Sequence, residues 1–258
     1  MRTDELDYDL PGHRIAQRPL EPRDAARLLV DCGATRPPRD ATVRDLPGEL
    51  GAGDVLVVND TRVLPARVAV RRGSGGIGEV LLLHELGNGK PGWWEALCRP
   101  SRKLEPGSEV TSLGGRIAFD VGDDLGSGRR LVRPRVVGSG APQPGHDRTQ
   151  LLDALSSDGE MPLPPYITEA LPDPERYQTT YSARPASAAA PTAGLHLTSP
   201  LLEDLRRSGV KVVSVELVVG LDTFRPVSSE QLEDHEIHSE FYSVPPETWH
   251  EVTATGAS

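Results

Sequence analysis

Apolar residues fall in short blocks along this chain, and the rhythm of the polar residues between them changes twice. Ile15-Ala16-Gln17 and Ala25-Ala26-Arg27-Leu28-Leu29-Val30 give short apolar elements near the start, and Val55-Leu56-Val57-Val58 reads as a buried strand. Between 69 and 150 the pattern becomes one of extended segments, at 79–86, 93–99, 108–120 and 129–137. Gly, Pro, Asn and Asp separate them at roughly ten-residue spacing, which predicts a small β-barrel or β-sandwich module. The Gly-rich stretches 71–78 and 138–147 read as hairpin tips or linkers. From Leu151 the α/β pattern returns. The Pro-rich stretch 159–167 reads as a structural loop in preference to a polyproline ligand. Ser199-Pro200 predicts a helix start, with Ser199 as N-cap and Pro200 at the first helical position. Leu201, Leu202 and Leu205 give that helix one apolar face, Gly209 suits its C-terminal cap, and 210–219 is a β-branched run typical of a buried strand.

The fold class expected is therefore α/β. A layered α/β domain at 1–68 plus 151–258 is interrupted by a small β-barrel-like domain at 69–150. Charge follows the same division. The whole chain of 258 residues carries a net charge of −10, which argues against a protein that coats nucleic acid indiscriminately. Residues 62–135, however, hold 13 Lys+Arg against 8 Asp+Glu. A basic β module in an acidic chain is either a surface for a phosphate backbone or a solvated charged face. The two cysteines, Cys32 and Cys98, are far apart and suggest neither a zinc site nor a disulfide framework. The N-terminus is acidic without an apolar core, unlike a signal peptide, and no apolar run is long enough for a membrane span. A cytoplasmic protein, acting as a monomer, is the expectation.

Candidate chemistry concentrates between 189 and 242. Ala190-Pro191-Thr192-Ala193-Gly194 is a small-residue loop before a helix start, where a ligand can approach backbone N–H groups. It lacks the Gly-Lys-Ser/Thr of a P-loop. His196, beyond it, is either a general base or a structural histidine. Gly220-Leu-Asp-Thr-Phe-Arg225 leaves the carboxyl end of one predicted strand, and Asn59-Asp60-Thr61-Arg62 leaves another. Ligands of open α/β sheets bind at such strand ends, although Asn59 and Asp60 also suit an ordinary turn. His235, His238 and Glu240 form His-x-x-His-x-Glu, which is not the His-Glu-x-x-His helix of zinc peptidases. A metal-dependent hydrolase remains a competing reading on these residues; no metal is expected.

Several stretches together carry a family likeness. Asn59-Asp-Thr-Arg-Val-Leu-Pro-Ala-Arg67, Arg176-Tyr-Gln-Thr179, Ala190-Pro-Thr-Ala-Gly-Leu-His196, Gly220-Leu-Asp-Thr-Phe-Arg-Pro226 and His235-Glu-Ile-His-Ser-Glu-Phe241 resemble the S-adenosylmethionine:tRNA ribosyltransferase-isomerases of queuosine biosynthesis. Asp7-Tyr-Asp-Leu-Pro11, Ile15-Ala-Gln17 and Arg23-Asp24 fit the same family. The resemblance implies transfer of the ribosyl part of S-adenosylmethionine to the aminomethyl group of 7-aminomethyl-7-deazaguanine in a tRNA anticodon. Isomerisation to an epoxycyclopentanediol gives epoxyqueuosine-tRNA, with release of adenine and methionine. S-adenosylmethionine is then a co-substrate, and no prosthetic group is implied.

On that reading the sulfonium acidifies the ribose 5′ carbon, and His196, His238 and Glu240 are the candidate bases. Phe224 or Tyr242 would face the sulfonium, worth about 1–2 kcal/mol when desolvated. Pro191, Thr192, Ala193 and Gly194 would hold the methionine carboxylate. Arg62, Arg67 and Arg225 would grip tRNA phosphate or the modified base, and Asn59, Asp60, Thr61, Gly220, Thr223 and His235 complete the expected substrate contacts. Two departures from the family pattern stand out. Asp222 replaces the usual Gly, and the family pattern continues well past Ser258 with a Val-Gly-Thr-Thr-type loop, an Arg-containing helix and an Asn-Phe-His-Leu-Pro segment. An α/β domain incomplete at its C-terminus is therefore expected, and a tRNA-binding remnant without catalysis is the alternative function.

Overall fold

The computed structural model describes residues 1–87, 90–138, 146–220, 227, 229–235 and 240–255, with 146 and 147 described by their backbone alone. Along the chain the strands are β1 (Arg27–Val30), β2 (Arg39–Thr42), β3 (Val55–Asn59), β4 (Thr61–Val63), β5 (Arg67–Arg72), β6 (Ile77–Glu85), β7 (Trp94–Arg99), β8 (Glu109–Ser112), β9 (Ile117–Gly126), β10 (Arg129–Val136), β11 (Gly159–Glu160), β12 (Arg184–Ser187), β13 (Lys211–Val218) and β14 (Phe241–Ser243). The helices are α1 (His146–Asp158), α2 (Ser199–Arg207) and α3 (Pro246–Thr255). The chain forms two compact units, one of residues 1–62, 164–184 and 190–258, the other of 63–163 and 185–189.

The second unit is a closed antiparallel barrel in the order β5-β6-β7-β10-β9-β8, with β8 pairing back onto β5. Closure removes exposed strand edges. Its inward residues are the apolar half of each alternating strand: Val68, Val70, Val80, Ala96, Ile117, Phe119 and Val132 are fully buried. The single extended segment expected over 108–120 is instead two strands. Gly114-Gly115 turns the chain, with Gly115 at φ +79, a backbone angle few other residues adopt. Helix α1 packs on β9, β10 and β11 and buries Leu151, Ala154 and Leu155. Its Asp158 accepts bonds from Ser112 Oγ (2.5 Å) and Arg116 N–H (2.9 Å). These contacts hold α1 to the barrel. They account for a compact-unit boundary at 163, where the apolar pattern suggests 150; at the other crossing the boundary falls at 62 and not 68.

The barrel also holds Cys98, whose burial pushes its thiol up to about 12. Only the thiolate is an effective nucleophile. Alkylation of the native protein at pH 8 should modify Cys32 alone, with Cys98 reacting only after unfolding. Rapid modification of both, read by mass spectrometry, would contradict this burial.

In the first unit β3 and β13 run parallel, from Lys211 opposite Val55 to Val215 opposite Asn59, and β14 pairs antiparallel to β13. Helix α2 buries Leu201, Leu202 and Leu205 against Val43, Val58, Leu197 and Val210. Each fully buried leucine stabilises by about 1.5–3 kcal/mol. The N-cap is Thr198, not Ser199: Thr198 has extended backbone angles, and its Oγ1 accepts from Leu201 N–H at 3.3 Å, leaving Ser199 as the first helical residue. Gly209 ends the helix as expected, at φ +90. The Val55–Val58 run is buried on one face only. Val58 packs beneath α2, whereas Val57 on the opposite face is 44% exposed. Among the described residues no helix is long and apolar enough to cross a membrane.

Candidate functional site

Topology alone brings three of the expected loops to one end of the sheet in the first unit. Parallel pairing of β3 and β13 puts Asn59–Arg62 and Val219–Gly220 beyond the same carboxyl edge. The α2 helix returns to the amino edge, where Gly53 N–H donates to Gly209 O at 3.2 Å. Its N-terminus, with Pro191–Thr198 before it, is therefore at the carboxyl edge too. That is where open α/β sheets bind ligands.

The segment 175–184 links these loops. The Arg62 guanidinium reaches Ser182 Oγ at 3.2 Å and pairs with Glu175. Asp60 O accepts from Ala183 N–H at 2.8 Å, and Thr180 Oγ1 donates to Leu197 O at 3.0 Å. From the other side Arg23 donates to the carbonyls of Gln178 (2.6 Å), Leu195 (3.2 Å) and Glu175 (3.0 Å). Asp24 accepts from Thr198 Oγ1 at 3.2 Å and from Arg44 at 2.8 Å, and Arg44 lowers its pKa. Arg23, Thr180, Tyr181 and Ser182 were not among the expected site residues. Their signal was the pair of sequence motifs Arg23-Asp24 and Arg176–Thr179, which the chain folds together as the frame of the His196 loop.

That loop is a single turn of 3-10 helix, Thr192–His196. It fits because Gly194 has no side chain: a Cβ there would lie 2.2 Å from Tyr181 Oη and 3.2 Å from Thr179 Cγ2. The Tyr181 phenol is pushed up to about 12 by burial, so it stays neutral. His196 is half-buried, and its Nδ1 lies 3.2 Å from Ala193 O. A carbonyl only accepts, so this bond requires the proton on Nδ1 and leaves the Nε2 lone pair free.

Asn59 is already occupied by protein. Its Nδ2 donates to Leu217 O at 2.9 Å, and its Oδ1 accepts from Leu217 N–H (3.1 Å), Thr61 N–H (3.1 Å) and Thr61 Oγ1 (2.7 Å). The amide side chain thus continues the β3–β13 ladder past the last backbone pair. Replacing Asn59 by alanine should lower the unfolding free energy by about 1–3 kcal/mol, because the Leu217 N–H loses its partner. Urea unfolding reads this out. Unchanged stability with lost S-adenosylmethionine affinity would instead assign Asn59 to the substrate. Asp60 is different: its Oδ1 is shielded from solvent and has no hydrogen-bond partner among the described residues.

Glu240 is exposed, and its Oε1 accepts from Gly220 N–H at 2.9 Å, tying the exit of β13 to β14. Tyr242 stands on β14, 69% exposed. His235 caps the short Leu232–Asp234 turn. Arg67 belongs to the barrel unit, where it pairs with Glu79 at 3.1 Å. His238, Thr223, Phe224 and Arg225 lie outside the described residues, as does Asp222. Among the described residues no group of three His, Cys, Asp or Glu side chains is placed to hold a metal ion.

The fold and these loops define an α/β protein interrupted by a closed antiparallel barrel, with a polar cluster at the carboxyl edge of its parallel strands. The chain belongs to the family described as queuosine biosynthesis protein, whose model matches residues 3–258. Relatives named S-adenosylmethionine:tRNA ribosyltransferase-isomerase include one from Rubrobacter xylanophilus, 49% identical, covering 96% of this chain and 69% of that protein. Another from Heliobacterium modesticaldum is 47% identical, over 93% and 67%. One from Staphylococcus haemolyticus is 42% identical, over 96% and 69%. Among solved structures, the S-adenosylmethionine tRNA ribosyltransferase of Thermotoga maritima is 28% identical with a TM-score of 0.40, covering 98% of this chain and 66% of that one. The chain thus spans about two thirds of the proteins it matches.

Proposed function

We propose that this chain transfers and isomerises the ribosyl group of S-adenosylmethionine onto 7-aminomethyl-7-deazaguanine in the tRNA anticodon. The observation that carries the reading is the match to the queuosine family over residues 3–258, together with identities of 42–49% to proteins named for this reaction.

The site chemistry supports it in three ways. The sulfonium of S-adenosylmethionine makes the adjacent 5′ C–H acidic, so a neutral imidazole is a strong enough base when well placed. His196 offers Nε2 for that proton, because Ala193 O holds the Nδ1 proton. Overall the C1′–N bond to adenine and the C5′–S bond to methionine break, and the aminomethyl nitrogen forms the new C–N bond. Of the two protons given up, one from C5′ and one from the amine, one goes to the departing adenine and one to solvent. The backbone of Pro191–Gly194, free of bulky side chains, suits the methionine carboxylate. The shielded Asp60 carboxylate suits the methionine ammonium, whose charge would supply the missing partner of Oδ1.

The experiment is to incubate the chain with S-adenosylmethionine and precursor tRNA and to follow free adenine. Adenine release that requires the tRNA supports the transferase. Binding of tRNA with no adenine release would leave the non-catalytic alternative.

A further inference from the structure

The positive balance of the barrel is unevenly spent. Arg67, Lys90, Arg129, Arg130 and Arg135 each have a carboxylate partner within the unit. Arg62, expected to hold tRNA phosphate, belongs to the first unit and is neutralised there by Glu175. By contrast, Arg71, Arg72, Arg99, Arg102 and Lys103 have no ion-pair partner among the described residues, and all but Arg72 are exposed. The pairing register gathers them at one end of the barrel. Arg71 lies opposite Ile77, at the start of β6, and the end of β7 at Arg99 lies opposite Glu79. Alternation turns Arg71, Ile77 and Arg99 outward, and Ile77 is 59% exposed. Two strand spacings and a two-residue offset along β6 put Arg71 roughly 12 Å from Arg99.

The residues around this end are held in place. Gly78 packs so closely that a Cβ on it would meet Arg99 O at 2.9 Å and Pro100 Cδ at 3.8 Å. The turn Ser101–Lys103 is fixed from beneath by the buried Arg130, whose Nε donates to Ser101 O at 3.0 Å, and by the fully buried Leu104. Arg102 and Lys103 are presented outward from it. The Arg72 guanidinium sits against Gly76 of the hairpin turn, where a Cβ would fall 2.0 Å from Nη2. Its Nε is shielded and has no acceptor among the described residues.

We infer that this end of the barrel is a docking surface for the phosphate backbone of an RNA strand. Unneutralised cations on rigid turns, spread across adjacent strands, bind phosphates by counterion release and carry no base specificity. The inference rests on the proposed tRNA substrate and says which face of the barrel meets it.

The test is a quadruple variant, Arg71→Gln, Arg99→Gln, Arg102→Gln, Lys103→Gln, with Lys90→Gln as control, because Lys90 is exposed but paired with Asp123. Affinity for unmodified anticodon stem-loop RNA is measured by fluorescence anisotropy across a salt series. The quadruple variant should bind at least tenfold more weakly near 0.15 M salt, with a salt slope shallower by about 3, since each lost phosphate contact removes roughly 0.7–0.9. Its S-adenosylmethionine affinity should match the unsubstituted chain, which also shows that it folds. An unchanged affinity and slope, or an equal loss from Lys90→Gln, would overturn the inference. Weaker RNA binding in a chain that never releases adenine would sink the transferase reading and leave this surface standing. Undiminished RNA binding in an active enzyme would do the reverse.

Discussion

Replacing His196 by alanine is expected to slow tRNA-dependent adenine release by roughly 10²–10⁴-fold, the usual contribution of a positioned general base. S-adenosylmethionine should still bind, because Arg23 on Leu195 O, Thr180 on Leu197 O and the close packing of Gly194 hold the loop without the ring. The size of the effect follows from the tautomer. Ala193 O, 3.2 Å from Nδ1, fixes the proton there and leaves Nε2 with the lone pair. The split between kcat and KM separates this role from a structural one. The variant should lose kcat with the KM for S-adenosylmethionine nearly unchanged, whereas a displaced loop would raise KM as well. Unimpaired adenine release would remove His196 as the base and leave Glu240 or His238. Glu240 is geometrically weaker than His196, since its Oε1 already accepts the Gly220 N–H.

The second large effect is expected from Gly194→Ala. The new methyl would begin 2.2 Å from Tyr181 Oη, so either the loop or the phenol must move. Overpacking of this kind costs about 1–3 kcal/mol. The activity loss should exceed the stability loss, because the displaced turn carries His196 two residues later. Adding Tyr181→Phe deletes the clashing oxygen, and the nearest remaining ring atom is then 3.4 Å away, ordinary contact. The double variant should therefore recover most of the stability and activity. If it is as impaired as Gly194→Ala alone, close packing against Tyr181 is not what sets the loop.

Much of this architecture is legible in the pattern of residues. Alternating segments between Gly and Pro announce the barrel, and Leu201, Leu202 and Leu205 with Gly209 announce α2. What the pattern misses is local hydrogen bonding and long-range pairing. Whether Thr198 or Ser199 caps α2 depends on which hydroxyl reaches Leu201 N–H, and both residue types cap well. The Gly114-Gly115 turn is short enough for the strands on either side to read as one. Leu151, Ala154 and Leu155 of α1 form an ordinary i, i+3, i+4 stripe, which marks a buried helix face but not the unit it packs on.

The site shows the same division. The motif loops are visible in sequence, and the parallel β3–β13 pairing explains why they gather. The internal bonds of Asn59 are not visible, because a polar residue at a strand end looks the same whether it faces a ligand or extends the ladder. Charge counts likewise mark the barrel as basic, but only ion pairing separates the spent arginines from the free ones. Arg67 and Arg71 are four residues apart on one strand, and only Arg67 has a carboxylate beside it.

The central claim is that S-adenosylmethionine gives up its ribosyl group to tRNA here, and double labelling tests it most directly. The chain is supplied with precursor tRNA and S-adenosylmethionine carrying one isotope in the ribose carbons and another in the methyl group. The account predicts ribose label in the RNA, methyl label in free methionine, and adenine in equal amount to the RNA label. Methyl label in the RNA, or RNA that is bound but carries neither label, would contradict it.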